Sequence, residues 1–232
     1  MQGESRNLGG QAMKYRSVFD IIGPIMIGPS SSHTAGANRI GRAARSLLKG
    51  EPAWAHIRLY GSFARTYRGH GTDVALVGGL LGFNASDSRI PRALQIAREI
   101  GLKVEIHPDP NPVDHPNTVR VRLGNNDEVF ELVGVSTGGG KVEIVELNQF
   151  PVRVSTDSPA LLIFHLDRPG VIAQVAGLLA QRGINIAHME VSRETVGGMA
   201  LMIVEVDQAV PSPLLDRLAS TPSITNVTRI EG

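Results

Sequence analysis

The sequence ALLIFHLDRPGVIAQVAGLLAQRGINIAHMEV (160–191) decides the fold of the C-terminal part of the chain. Its first apolar run, Leu161–Leu166, predicts a buried strand. Apolar residues then recur at helical spacing over Val171–Gln181, and Gly183 is typical of a helix C-terminus. The stretch therefore predicts a strand, a helix and a second strand that begins at Ile184.

The residues after this stretch complete a pattern of strands and helices. The sequence predicts three more strands and one helix, at Ile184–Arg193, Met199–Val206, Ile224–Ile230 and Pro213–Ala219. The resulting order βαββαβ is that of a ferredoxin-like unit. We predict that residues 160–232 form this domain and that PVRVSTDSP (151–159) is the linker before it.

The N-terminal half has a different pattern, in which helices dominate first and strands follow. Its predicted helices are Gly36–Lys49, Val74–Leu81 with Thr72 as the N-cap, and one from Pro91 to Gly101. Its predicted strands are Ala55–Phe63, Leu102–His107, Thr118–Leu123, Glu128–Val135 and Lys141–Asn148. We predict an antiparallel sheet with helices on one face over residues 13–150, so the chain is an α+β protein of two domains. The polar residues 1–12 are expected to form a disordered extension.

Composition argues against several classes of function. The formal net charge is +1 and the basic residues are scattered, which argues against binding to nucleic acid or to an anionic membrane. The longest apolar runs are far shorter than the ~20 residues of a membrane span. The polar N-terminus lacks the apolar region of a signal peptide, so a cytoplasmic location is expected. The chain contains no cysteine, so it cannot ligate an iron–sulfur cluster by itself.

The segment GPSSSHTAG (28–36) concentrates hydroxyl groups and one histidine directly before a predicted helix. Hydroxyls and free backbone N–H groups at such a position favour an anionic ligand, such as an amino-acid carboxylate. A histidine there can exchange protons near neutral pH. The candidate residues are Ser30, Ser31, Ser32, His33 and Thr34. The alternative is that one hydroxyl caps the helix and that His33 is a solvated loop residue.

A second arrangement of the same kind is YGSFARTYRGHGTD (60–73). It places His70 between two glycines, just before Thr72 and Asp73 at another predicted helix start. Asp73 is a candidate to orient an imidazole, or it is only an acid in the first turn of the helix.

Together with STGGGKVEI (136–144), these motifs resemble the β region of the bacterial iron–sulfur L-serine dehydratases over residues 13–150. The resemblance implies conversion of L-serine to pyruvate and ammonia without pyridoxal phosphate. It also implies a 4Fe–4S cluster that is ligated by a separate α subunit, and the missing cysteines here agree with that division. By resemblance His33 and His70 are the catalytic histidines, with His70 favoured for removal of the α-proton. The implied substrate-binding residues are Ser30, Ser31, Ser32, Thr34, Thr72 and Asp73. The first four would bind the substrate carboxylate or face the cluster. No metal ligand is predicted on this chain.

The C-terminal unit resembles an ACT domain, through LDRPGVIAQVAGLLAQRGINIAHMEV (166–191) and GGMALMIVEVD (197–207). ACT domains bind small effectors, usually amino acids, between paired copies. The resemblance therefore implies homodimerisation and an effector site at Asp167, Pro169, Gly170 and Asn185, with Asn185 expected near the same edge as Asp167. Two alternatives stay open, namely a domain that serves dimerisation alone and purely local roles for Asp167 and Asn185.

A second resemblance implies a function of another class. An ACT domain joined to an α+β domain is also similar to the regulatory half of some phosphoglycerate dehydrogenases, where the first domain senses an effector and performs no chemistry. The glycine fingerprint of a nucleotide-binding domain is absent, since Gly23–Gly28 lies in a segment broken by proline. The two histidine motifs also exceed what such a platform requires. A subunit of an L-serine dehydratase is therefore the favoured interpretation.

Overall fold

The computed structural model describes residues 24–230 as two β-sheets with helices packed against them. The predicted disordered extension, residues 1–12, lies outside the described residues. The α+β fold class predicted from the sequence is confirmed, with a six-stranded sheet in the N-terminal part and a four-stranded sheet in the C-terminal part.

The N-terminal part carries most of the helices and the larger sheet. Its helical elements are a π-helical segment Ser31–Gly36, α1 Ala37–Ser46, α2 Gly61–Thr66, α3 Thr72–Leu80, a 3-10 turn Ile90–Arg92 and α4 Ala93–Glu99. Its strands are β1 Trp54–Leu59, β2 Lys103–Pro108, β3 Thr118–Gly124, β4 Val129–Gly138, β5 Lys141–Leu147 and β6 Phe150–Ser155.

These six strands form one sheet in the order β2-β1-β3-β4-β5-β6. Neighbouring strands are antiparallel except for β1 and β2, which pair in parallel. A parallel pair needs a long crossover connection, and helices α2 to α4 provide it here. The sheet therefore departs from the predicted antiparallel arrangement at this one edge.

The crossing of α1 and α3 brings the two histidine motifs together. Both helices bury apolar residues such as Ile40 and Leu76, which are fully inaccessible to solvent. A Cβ added at Gly41 would lie 2.2 Å from the backbone oxygen of Leu76, and one at Gly79 would lie 2.2 Å from that of Asn38. Only glycine permits this approach of the two backbones, so the crossing fixes where the helices begin.

Three local predictions up to the start of α3 differ from the structure. Residues 31–35, which precede the predicted helix Gly36–Lys49, are already helical: the π-helical segment Ser31–Gly36 has its own N-cap at Ser30. Residues 61–63, predicted as the end of the strand Ala55–Phe63, are the beginning of helix α2, which runs from Gly61 to Thr66. Thr72 is the first residue of α3 and not its N-cap; that position belongs to Gly71, whose φ of +68° suits a glycine.

The predicted linker 151–159 is largely part of the N-terminal sheet. Residues 150–155 form strand β6, which pairs with β5 and buries Val152 and Val154. The alternation of apolar and polar residues in this strand was hidden by the proline at each end of the segment. Only residues 156–159 connect the two sheets.

The C-terminal part has the predicted βαββαβ order. Its elements are β7 Ala160–Leu166, α5 Val171–Ala180, β8 Ile186–Arg193, β9 Met199–Val206, α6 Ser212–Ala219 and β10 Ile224–Ile230. The sheet order is β10-β7-β9-β8 with antiparallel neighbours throughout. Strand β8 is therefore an edge strand.

The central strands β7 and β9 are buried on both faces. One face, with Leu161 and Met202, packs in the same apolar cluster as helices α5 and α6. The other face belongs to the core of the N-terminal part, where the ring of Phe164 lies 6.0 Å from that of Phe130 and 6.4 Å from that of Phe150. One continuous apolar core thus joins the two parts of the chain.

Candidate active site

The π-helical segment presents the first histidine. Ser30 has an extended backbone, and its Oγ accepts a hydrogen bond of 3.2 Å from the backbone N–H of His33. A serine N-cap satisfies one N–H group that the start of a helix leaves without a partner. Helical turns of the π type are frequent at functional sites. The cap therefore fixes the position from which the His33 side chain projects.

Hydroxyl groups hold both nitrogens of the His33 ring. Nδ1 lies 3.3 Å from Ser30 Oγ, and Nε2 lies 3.0 Å from Ser62 Oγ. The ring also makes an edge contact with Phe63, at 5.2 Å between centroids. Burial lowers the pKa of His33 below its usual 6.5, and the neighbouring His70 lowers it further. His33 is accordingly a neutral, oriented imidazole at pH 7.

The second histidine contacts the first. The rings of His33 and His70 are nearly perpendicular, at 88°, with their centroids 4.8 Å apart. His70 lies in the turn between α2 and α3, just before Gly71. Thr34 Oγ1 donates a 3.3 Å hydrogen bond to the backbone oxygen of His70 and ties this turn to the π segment. The Nδ1 atom of His70 is buried without a hydrogen-bond partner among the described residues.

The predicted substrate-binding hydroxyls differ in exposure. Ser31 and Ser32 are half-buried, and their side chains make no hydrogen bond within residues 24–230. Thr34 and Thr72 are buried, and Thr72 Oγ1 has no partner in that range. The hydroxyls of Ser31 and Ser32 are thus accessible to a ligand, whereas those of Thr34 and Thr72 are buried in the packing.

The Asp73 carboxylate bonds within its own helix. Its Oδ1 accepts a 2.8 Å hydrogen bond from the backbone N–H of Val74. This is the geometry of an acid in the first turn, where the helix dipole also favours a negative charge. The carboxylate makes no hydrogen bond to either histidine.

Sequence reasoning missed three polar residues of this region, of which Ser62 contacts a histidine. Ser62 follows β1 within the second motif, and only its contact with His33 reveals its role. Ser136 Oγ is buried and unpaired within the described residues, and a Cβ added at Gly36 would lie 2.1 Å from it. Asn38 is fully buried and donates to two backbone oxygens, of Ala75 in α3 and of Phe83 beyond it, at 3.2 and 3.1 Å. These contacts depend on the tertiary fold, so no local pattern announces them.

The triple-glycine turn packs against the same region. Gly138–Gly140 joins β4 and β5, and the three residues have φ values of +106°, +61° and +79°. A Cβ on Gly140 would lie 2.8 Å from Pro24 and 3.6 Å from Ala35. The turn is therefore a hairpin that approaches the surroundings of the π segment in its own chain.

In the C-terminal part, the Asp167 carboxylate is already occupied. Its Oδ2 accepts hydrogen bonds from Gly197 N–H at 3.1 Å and from the Arg193 guanidinium at 2.9 Å. Both bonds lower the pKa of Asp167 below its usual value, and the bond from Gly197 has the larger effect. The adjoining residues Pro169 and Gly170 are exposed, and Gly170 has a φ of +91° directly before α5.

Asn185 does not lie near Asp167 within one chain. At one end of β9, Leu166 of β7 pairs with Met199, and Asp167 follows it. At the other end of β9, β8 begins at Ile186, and Asn185 donates a 2.7 Å hydrogen bond to Asp207. The expectation that the two residues share an edge is wrong for a single chain, because the antiparallel register separates them.

His107 and His115 make local contacts. His107 Nε2 lies 3.6 Å from Glu105 on the exposed strand β2, and His115 Nδ1 accepts a hydrogen bond from Asn117 N–H. Across residues 24–230, no group of three or more histidine, cysteine, aspartate or glutamate side chains is placed to hold a metal ion. In the same part of the chain, no helix combines the length and apolarity needed to cross a membrane.

Two family models match the chain. One, described as "Serine dehydratase beta chain", matches residues 17–109, which include both histidine motifs. The other, described as "ACT domain", matches residues 160–223. The two matches fall on the two parts that the sheets define.

Relatives match over almost the whole length. The chain is 54% identical to a protein named "Probable L-serine dehydratase, beta chain" from Bacillus subtilis (strain 168), over 94% of this chain and 99% of that protein. It is 35% identical to "L-serine dehydratase, beta chain" from Peptoniphilus asaccharolyticus, over 93% and 98% of the two chains. A match to "D-3-phosphoglycerate dehydrogenase" from Synechocystis sp., at 26% identity, covers 58% of this chain and only 24% of that enzyme.

Proposed function

Because the chain belongs to the family of serine dehydratase beta chains, we propose that it is the β subunit of an L-serine dehydratase, an L-serine ammonia-lyase. The enzyme converts L-serine to pyruvate and ammonia, and this subunit contributes acid–base groups to a site that an α subunit completes. The full-length match to two proteins named beta chains supports the proposal. The match to phosphoglycerate dehydrogenase is partial, so a purely regulatory module is less well supported.

The single observation that carries the proposed chemistry is the contact between His33 and His70. Removal of the α-proton of serine needs a base near the substrate. A pKa below 6.5 keeps His33 neutral at pH 7, so it adds no positive charge beside the second imidazole. Serine hydroxyls occupy both nitrogens of His33, whereas the His70 side chain makes no hydrogen bond within residues 24–230. We assign α-proton removal to His70, with His33 as the neighbour that positions it and exchanges protons with it.

The hydroxyls beside the pair have different proposed roles. Ser31 and Ser32 are half-buried and free of hydrogen bonds within the described residues, so we assign them to the substrate carboxylate. Ser30 orients His33, and Thr34 holds the backbone of His70. Thr72 and Asp73 support the start of α3, since one is buried and the other bonds to Val74.

The residues of this chain do not fit a 4Fe–4S cluster. The chain has no cysteine, and two adjacent imidazoles cannot supply its ligands. We therefore propose that the cluster, which belongs to the enzyme by resemblance, is ligated by the α subunit. No pyridoxal phosphate is proposed.

The ACT domain has two proposed roles. Strand β8 pairs on one side only and exposes Val191, which supports homodimerisation through this edge. Asp167 and Asn185 lie at opposite ends of β9 in one chain, so an effector site that uses both needs residues from two copies. The effector is proposed to be an amino acid, and the enzyme to act on serine in the cytoplasm.

Anaerobic reconstitution tests the proposal. The chain is expressed alone and together with the cluster-bearing α subunit, and pyruvate formation from L-serine is measured. Turnover is expected only when both chains are present. Failure of the two chains to associate, or serine turnover by either one alone, would contradict the proposed division of labour.

A further inference from the structure

The short helix α2 lies between the two histidines and contacts both of them. Near its start, Ser62 Oγ lies 3.0 Å from Nε2 of His33, and the next residue, Phe63, meets the same ring at 5.2 Å between centroids. Phe63 is fully inaccessible to solvent and belongs to the apolar core, which fixes its position. After the other end of the helix, the turn to α3 carries His70. Helix α2 therefore determines where the two imidazoles lie relative to each other.

Hydrogen bonds run along α2 from the first contact to the second histidine. The hydroxyl of Thr66 donates a 2.9 Å hydrogen bond to the backbone oxygen of Ser62. The backbone oxygen of Thr66 in turn accepts a 3.0 Å hydrogen bond from the backbone N–H of His70. Since Thr34 of the π segment donates to the backbone oxygen of His70, each histidine is bonded to the segment that carries the other.

The start of α2 is anchored outside the histidine pair. The backbone N–H of Ser62 donates a 2.6 Å hydrogen bond to the backbone oxygen of Pro116, and that of Tyr60 donates a 3.0 Å bond to Thr118 at the start of β3. A Cβ added at Gly61 would lie 2.5 Å from the Pro116 oxygen, and Gly61 has a φ of +54°. The sheet and the loop before β3 thus hold the Ser62 hydroxyl in place independently of the ring that it contacts.

The neutral imidazole of His33 carries one N–H, so one of the two serines at its ring donates a hydrogen bond and the other accepts one. Ser30 Oγ already accepts the backbone N–H of His33, which leaves its own proton for Nδ1 at 3.3 Å. Nε2 then carries the ring proton and donates to Ser62 Oγ. Each bond of such a chain strengthens the next, because every hydroxyl that accepts a proton becomes a better donor. The reverse assignment directs two donors onto Ser30 Oγ and breaks the chain.

We propose that Ser62 is a positioning residue of the reaction, whose Oγ accepts the hydrogen bond from Nε2 of His33 and holds this ring at its distance and angle from His70. The proposal rests on the proposed function, since it takes the histidine pair as the reacting site. Without the Ser62 hydroxyl, Ser30 is the single hydroxyl among the described residues that still bonds a ring nitrogen, so the ring is free to turn about its Cβ–Cγ bond. The misplaced ring costs rate and not binding, because the hydroxyls assigned to the substrate carboxylate stay in place.

NMR on the full 232-residue chain, with histidine labelled by 15N, tests the hydrogen bond. In the wild-type chain at neutral pH, Nε2 of His33 is expected to be protonated and Nδ1 unprotonated. Ser62→Ala is expected to lower the pKa of His33, because the imidazolium loses an acceptor for its Nε2–H. The matched control is Ser220→Ala, the same change at an exposed position directly after α6, which should alter neither quantity.

Kinetics of the reconstituted two-chain enzyme test the consequence for the reaction. Ser62→Ala is expected to lower kcat for pyruvate formation about 10-fold, the scale of one lost hydrogen bond, and to leave KM for L-serine nearly unchanged. Ser220→Ala should leave both parameters unchanged. Circular dichroism shows whether each variant is folded, and the protonated nitrogen of the wild-type ring tests the proposal even where the variant is destabilised.

The outcomes separate the positioning role from the proposed function. A protonated Nδ1 in the wild-type chain, or a pKa of His33 that rises or stays the same in Ser62→Ala, overturns the proposed hydrogen bond. A kcat of folded Ser62→Ala equal to that of the wild type overturns the positioning role. Absence of serine turnover by the wild-type two-chain enzyme counts against the proposed function instead, and the NMR result on the His33 ring is independent of it.

Discussion

The histidine pair and the Asp167 loop differ in whether their polar atoms have hydrogen-bond partners. Around His33 and His70, several polar atoms are buried and unpaired among the described residues, including His70 Nδ1, Thr72 Oγ1 and Ser136 Oγ. The Asp167 carboxylate, in contrast, is bonded by Arg193 and by a backbone N–H of the same chain. Unpaired buried polar groups cost free energy. The first region therefore leaves polar atoms open to a partner, as the proposed site requires, whereas the second satisfies its carboxylate within the chain.

Substitution of His70 is expected to have the largest effect. His70→Gln removes the proposed base and keeps a polar side chain, and loss of general base catalysis lowers turnover about 100-fold or more. The measurement is kcat for pyruvate formation by the reconstituted two-chain enzyme. His107→Gln, at an exposed position on β2, is the control and should leave kcat unchanged. Near-normal turnover of His70→Gln would show that His70 is not the base.

Filling the helix crossing is expected to have the next largest effect. Gly41→Ala places a methyl group 2.2 Å from the backbone oxygen of Leu76, and the overpacking should lower the free energy of unfolding by about 1–3 kcal/mol. Gly177→Ala in α5 is the control, because nothing lies within 4 Å of its Cβ, and helix propensity predicts stabilisation by about 0.5–1 kcal/mol. Urea denaturation of both variants provides the measurement. Equal stability of the two would mean that the α1–α3 crossing tolerates a side chain.

The protonation of His33 is expected to show a moderate effect. Its pKa lies below 6.5 in the folded chain, so the unfolded chain binds more protons between that pKa and 6.5. Stability should therefore be undiminished above pH 6.5 and fall as the pH drops below it. An NMR titration of the His33 ring gives the pKa directly. In His70→Gln the pKa of His33 should rise yet stay below 6.5, because burial is the larger cause of the shift. The control His107→Gln should leave the pKa of His33 unchanged. A midpoint at or above 6.5 in the wild-type chain would contradict the burial of a neutral ring.

The smallest effect is expected at Asp167. Asp167→Asn weakens the bonds to Gly197 and Arg193, but Arg193 is more than half exposed, so thermal stability at pH 7 should fall only slightly. The pKa of Asp167 is lowered, so its stabilising contribution is present above the usual pKa of a carboxyl and is lost as the pH falls through the lowered value. Thermal melts of wild type and variant should consequently converge as the pH falls through the lowered pKa of Asp167. Asp114→Asn, in an exposed loop, is the control. A larger loss than that of Gly41→Ala would indicate that the loop supports the fold.

The sequence was most informative where one local pattern was sufficient. The apolar periodicities over 160–230 predict every strand and helix of the ACT domain, since each of these elements shows its own local pattern. The two motifs also predict His33 and His70 as site residues, because hydroxyls and glycines around a histidine at a helix start are unusual. Their contact, however, depends on Gly41 and Gly79 at the α1–α3 crossing, and no local pattern gives the distance between two helices.

The failures have the same physical origin. Asn185 was expected beside Asp167, but only the register of β8 on β9 determines which end of the sheet each occupies. The prolines at 151 and 159 predict an irregular linker where the structure has strand β6. The alternation of the apolar residues Val152 and Val154, which are buried, is the pattern of a strand. Long-range pairing decided both cases.

The shared core of the two parts has a consequence for how the chain can be divided. Leu162, Phe164, Leu201 and Ile203 of the ACT domain are almost fully inaccessible because the N-terminal sheet covers them. A fragment that starts at residue 160 would expose this apolar face of β7 and β9, and contiguous apolar patches of that kind promote aggregation. The ACT domain of this chain therefore depends on the N-terminal part for its solubility, and removal of the ACT domain would expose the complementary apolar surface of the N-terminal part.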